Sequence, residues 1–153
     1  MWIYIFIALS IAILCDVVLY NSLVFLRQKV QEARSGMDVQ LKRRHDLIPQ
    51  LVATVKQYTL HEQDLLTRLV QERVSYGDVK KVFALAESYP DLKSNKNFEK
   101  LQEEISETED HISASRAIYN QNATIFNTKI QSFPGVLAAK LHGFTRIDLF
   151  EMK

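Results

Sequence analysis

A chain of 153 residues has room for one compact domain and little for a second. Its 19 lysines and arginines nearly balance 18 aspartates and glutamates, so the overall charge carries no bias toward nucleic acid or an acidic substrate, and any charge preference must be local. With 4 glycines and 3 prolines the chain is poor in turn residues, while leucine, isoleucine, glutamate and lysine recur, which points to an all-α protein built from long helices.

From Trp2 to Cys15 every residue is apolar except Tyr4 and Ser10, and after Asp16 the run resumes with Val17, Val18, Leu19 and Leu23 to Leu26. A bilayer core about 30 Å thick needs about 20 mainly apolar residues at ~1.5 Å rise, and residues 1–26 supply that as a transmembrane anchor. Asp16 is the defect, because a carboxylate at mid-bilayer costs about 2.5–3.5 kcal/mol. It is therefore expected off-centre, toward the cytoplasmic end. The lone cysteine, Cys15, has no partner for an internal disulfide and reads as membrane filling. A cleaved signal peptide would want a basic start, yet the first positive side chain is Arg27. Since Arg27, Lys29, Arg34 and Lys42 to Arg44 all follow the span and none precedes it, the positive-inside rule puts the body in the cytoplasm and the amino terminus outside.

Beyond the span, Val30, Ala33, Met37 and Leu41 step by three and four, as one face of a continuing helix requires. The stride returns at Ile48, Leu51, Val55, Tyr58, Leu65 and Leu69, with Pro49 inside it. The missing N–H of Pro49, and its clash with the His45 carbonyl, predict a kink or a break near Arg44 to Ile48. From Ser75 to Ser94 the pattern weakens, with Gly77, Pro90 and Asp91 around a short helical candidate over Val79 to Ser88, so a connector is expected.

Asn95 or Ser94 caps the next helix. Its expected core positions are Phe98, Leu101, Ile105, Thr108, Ile112, Ser115, Tyr119, Asn122, Phe126, Lys129 and Phe133, ending at Pro134-Gly135. From Thr108 onward polar members, Thr108, Ser115, Asn122 and Lys129, alternate with apolar ones. Thr108, Ser115 and Asn122 must find partners or water, either as core polarity that fixes register or as a groove or oligomer interface. Asn122, between Tyr119 and Phe126, is the member expected to be most enclosed. The last segment, Val136 to Lys153, is expected to close one end of the bundle.

No histidine of His45, His61, His111 and His142 sits in a Glu-x-x-His pair, and no phosphate-binding glycine loop is present. The expectation is therefore no catalytic residue, no metal and no cofactor. The densest basic run, Lys42-Arg43-Arg44-His45, reads as a solvated helix face touching acids of the Glu99–Glu109 stretch, with nucleic acid disfavoured for want of interleaved aromatics.

Several stretches together carry a resemblance: Tyr20-Asn21-Ser22-Leu23-Val24-Phe25-Leu26-Arg27, Asp38 through Pro49, Tyr89-Pro90-Asp91-Leu92-Lys93, Asn97-Phe98, Tyr119-Asn120, Phe126-Asn127 and Phe133-Pro134-Gly135. In this order they resemble the LemA family, over Tyr20 to about Phe144. The resemblance implies a bacterial membrane protein with an elongated antiparallel helical bundle over residues 27–153, and no known enzymatic activity. The chain looks shortened between Glu72 and Leu85 relative to that family. Taken together, the residues lead to a non-enzymatic adaptor or assembly protein of the inner (cell) membrane. Its expected partners are the lipid bilayer and either a second copy of itself, as a homo-oligomer, or another membrane protein. Arg43, Arg44, Thr108, Ser115 and Asn122 are the interaction candidates. The alternative, a membrane-associated enzyme or signalling receiver, would need ionisable groups converging on a pocket inside the bundle.

Overall fold

The computed structural model describes residues 1–58 and 76–150. Among these the protein is all-helical: α1 spans Trp2–Lys56, α2 Tyr76–Ala86, α3 Pro90–Lys93, α4 Lys96–Gln131 and α5 Gly135–His142. The chain divides into two compact units, one of Met1–Gly36 with Ser115–Lys153 and one of Met37–Ala114.

In the first unit, α1 begins as a helix long and apolar enough to cross a membrane, and none of its most apolar window is buried within the protein. Ser10, a polar residue in that stretch, donates its hydroxyl to the carbonyl of Phe6 at 2.9 Å. A hydroxyl satisfied within its own helix needs no water. From Leu19 onward the same helix turns its apolar face inward. Leu23 and Val30 are buried with Tyr119, Ala123, Phe126 and Ile130 of α4 and with Ala138 and Ala139 of α5, and Leu19, Leu26, Ala33, Phe144 and Ile147 pack at the edge. The expected anchor of residues 1–26 thus ends inside the packed core.

In the second unit, Leu47, Ile48, Leu51, Val52 and Val55 of α1 meet Val79, Val82 and Ala86 of α2, Leu92 of α3, and Phe98 and Ile105 of α4. The stretch expected to be a connector around a short helix over Val79 to Ser88 therefore holds two helices, Tyr76–Ala86 and Pro90–Lys93, and supplies four core residues. Pro49 does not break α1, which runs on to Lys56. Proline occupies an exposed position while its neighbours Leu47, Ile48, Leu51 and Val52 are buried, so water can replace the missing donor and the flanking packing holds the turn.

The start of α4 is fixed by Asn95. Its side-chain oxygen accepts the backbone N–H groups of Asn97 at 2.9 Å and Phe98 at 3.2 Å, two donors a helix start leaves orphaned. Its amide also donates to the Tyr58 hydroxyl at 2.8 Å. The helix stops at Gln131, as Pro134-Gly135 requires. Gly135 tolerates no side chain, since a Cβ there would collide with the backbone carbonyl of Lys129. At the far end of α5, Gly143 takes φ 70° and the Phe144 N–H reaches the Ala139 carbonyl at 2.9 Å, the left-handed glycine cap that satisfies a helix's last carbonyls.

Candidate functional site

The polar members of the α4 stripe have separate fates. Thr108 is fully buried and donates its hydroxyl to the Glu104 carbonyl one turn back at 2.7 Å, which satisfies it inside its own helix. Ser115 and Asn122 are half-buried in the first unit and line one cavity of about 350 Å³ with Lys29, Glu32, Ala33, Gly36 and Ile118. The Asn122 amide donates to the Lys29 carbonyl of α1 at 3.3 Å. The hollow forms where Gly36 and Ala33 carry almost no side chain opposite Ser115. Ile118 at its rim is 52% exposed and Ile125, two turns on, is 46% exposed, so α4 shows solvent an apolar strip at heptad spacing.

The basic run meets acids in the second unit. Arg44 Nη1 lies 2.8 Å from Glu109 Oε2, with both side chains about four-fifths buried, whereas Arg43 approaches Glu107 only to 3.9 Å with both largely exposed. The first is a structural pair. The second retains a free choice of partner, because an exposed pair at that distance is worth little.

The more organised polar constellation involves residues not singled out as candidates. Asn127, 8% exposed, donates to the Ile147 carbonyl at 2.7 Å and accepts the Ile147 N–H at 2.9 Å. Seven residues earlier, Asn120 repeats the arrangement with Phe150, at 3.0 and 2.7 Å. Tyr119 adds its hydroxyl to the Asp148 carbonyl at 3.0 Å. A side-chain amide offers one donor and one acceptor, and so pairs with an extended residue as a neighbouring strand would. These residues strap 144–150, which has no regular secondary structure, along α4. The signal was present as two asparagines seven apart, each following an aromatic residue, in a helix.

The described histidines do not gather. His45 and His111 are exposed, and His111 lies 3.6 Å from Glu107. His142 lies 3.1 Å from Asp16 Oδ2, its ring 4.6 Å from that of Tyr20. Among the described residues no three of histidine, cysteine, aspartate or glutamate are grouped to hold a metal ion. His61, Leu65, Leu69 and the Glu72 to Ser75 part of the shortened stretch lie outside the described residues.

The LemA family model matches residues 33–153. Protein LemA of Metamycoplasma hominis is 30% identical over 131 residues, covering 74% of this chain and 60% of that protein. Magnetosome protein MamQ 2 of Paramagnetospirillum magneticum is 22% identical over 177 residues, covering 88% of this chain and 65% of its own length, and Magnetosome protein MamQ of Magnetospirillum gryphiswaldense is 20% identical with the same coverage. The chain spans less than two thirds of the length of these relatives. A match over most of the body, joined to 30% identity with a protein of that name, makes this chain a member of the LemA family.

Proposed function

We propose that this protein is a single-pass inner-membrane protein whose helical body lies in the cytoplasm and acts as a non-enzymatic adaptor or assembly element. The observation that carries the reading is the contrast within α1. From Trp2 to Cys15 its residues are all exposed and almost all apolar, while the same helix, uninterrupted, becomes one wall of a packed core from Leu23. Exposed apolar surface on that scale is stable in lipid and not in water. The cytoplasmic orientation rests on Arg27, Lys29 and Arg34, which follow the span. Antiparallel pairing of α1 with α4 is supported in the second unit by Arg44 meeting Glu109 and by Tyr58, just past the end of α1, meeting Asn95, the cap of α4, since the later residue on one side takes the earlier partner on the other.

For the adaptor role the supporting feature is the α4 strip of Ile118 and Ile125 beside the Asn122 hollow. The partner is a second copy or another membrane protein. Crosslinking in intact membranes, followed by sizing in mild detergent, should recover a defined complex, and Asn122→Leu or Ile118→Asp should reduce it. Recovery of monomers alone, with no protein partner, would refute the adaptor reading. Labelling of a carboxy-terminal tag from outside intact cells would refute the orientation.

A further inference from the structure

We infer that α5 is a second membrane contact, an interfacial helix that lays Phe133, Leu137 and Leu141 into the headgroup layer beside the point where α1 leaves the bilayer. This rests on the reading of α1 as a membrane span.

The first observation is an inverted helix. An ordinary surface helix buries its large apolar residues and shows water its small or polar ones. The helix α5 does the reverse: Gly135, Ala138 and Ala139 are buried, while Leu137 is 60% and Leu141 72% exposed, and Phe133 just ahead of the helix is 80% exposed. Leu137 and Leu141 are one helical turn apart and lie in one stripe of α5, and Phe133 is exposed in the turn that leads into it. Small residues inward let α5 approach the core closely, as the Gly135 contact with Lys129 requires. The large residues are thereby turned outward together, which is costly in water and favourable at a lipid boundary. Lys140 flanks the stripe, exposed, and its long apolar stem allows the ammonium to reach phosphate while Leu137 and Leu141 face the acyl chains.

The second observation fixes the level. The helix α5 and the residues after it touch α1 through His142 with Asp16, His142 with Tyr20, and Phe144 with Tyr20. The stretch of α1 free of tertiary contact, Trp2 to Cys15, is 14 residues and covers about 21 Å at ~1.5 Å per residue. A hydrocarbon core of about 30 Å needs roughly six residues more. The span therefore draws Asp16 to Asn21 toward the bilayer edge, and with them the α5 residues packed at that level. Trp2 and Tyr4 at one end and Tyr20 at the other stand where interfacial aromatics are enriched. Asp16, the one acid of the span, is met there by His142, so α5 also supplies the polar partner that an acid near the acyl boundary needs.

The test uses the full-length chain reconstituted in vesicles of phosphatidylcholine and phosphatidylglycerol. Tryptophan is moved from Trp2 to the stripe (Trp2→Phe with Leu141→Trp), and fluorescence is read with lipids brominated at shallow or deep acyl positions. The expected result is blue-shifted emission with a larger loss of intensity from the shallow bromines than from the deep ones. The parent protein, read through Trp2, reports the anchor separately. Bromine quenching at Trp2 with none at position 141 overturns the interfacial helix and leaves the span intact. No quenching at either position overturns the span itself. Emission that is blue-shifted but unquenched at 141, with disulfide dimers forming in Cys15→Ser, Leu141→Cys protein, would assign the stripe to a second copy and overturn the lipid contact.

Discussion

The two units solve the same problem, holding their segments together, by different means. In the second unit α2, α3 and the start of α4 close on α1 chiefly through aliphatic and aromatic side chains, with Leu51, Val55, Val79, Val82, Leu92 and Ile105 all fully buried. In the first unit the apolar cluster is leaner in aliphatic bulk, with Tyr119, Ala123, Ala138 and Ala139 among its eight buried members. The paired hydrogen bonds of Asn120 and Asn127 do the remaining holding. Helices satisfy their own backbone, so apolar burial suffices to dock them. An extended tail brings unpaired N–H and C=O groups to the core, and side chains must supply the partners.

That contrast is open to direct attack. Phe98→Ala, in the second unit, empties a position that is 2% exposed, and should cost about 3–5 kcal/mol through lost burial and a residual cavity. Chemical denaturation of the detergent-solubilised protein measures it. Asn127→Ala strikes the other device: it leaves the N–H and C=O of Ile147 without partners, for a loss of about 2–4 kcal/mol. Amide exchange should rise at Ile147 and Phe150 while the Val79 to Ala86 amides stay protected. Equal acceleration in both units would show that the tail clamp is not a local device.

Pro49→Ala works in the opposite direction. Restoring an N–H donor to the His45 carbonyl at an exposed site inside α1 should stabilise the second unit by about 1–2 kcal/mol, read as a raised melting temperature. A lower melting temperature would mean that the bend proline imposes is needed by the packing of Leu47 to Val55. The smallest effects separate the two arginines. Arg44→Met should cost about 1 kcal/mol and blunt the salt dependence of stability, whereas Arg43→Met should fall within about 0.5 kcal/mol of the parent. A comparable loss from both would erase the distinction drawn between a shielded pair and an exposed one.

Much of this protein is written locally. The apolar run from Trp2, the three-and-four stride of Val30 to Leu41, the Asn95 cap and the Pro134-Gly135 stop each depend on neighbours within a turn or two, and α4 begins and ends where those signals stand. The acids expected opposite Lys42 to His45 are there too, as Glu107 and Glu109. What local pattern left undecided depends on partners distant in sequence. The heptad stripe holds from Phe98 to Phe126 and then drifts, so that Asn127 and Ile130 are buried where Lys129 and Phe133 were expected. A straight helix of 3.6 residues per turn slips about 20° per heptad, and only the segment packed against it selects the face that ends up inside. Asn122 and Asn127 have the same side chain on the same helix, yet the tail at Ile147 encloses one and the Gly36 hollow leaves the other half open. In the same way composition makes α5 merely apolar. That its small residues face inward and its large ones outward follows from the cluster that Ala138 and Ala139 join with Leu23 and Val30 of α1, partners far away in the chain that no pattern within eight residues carries.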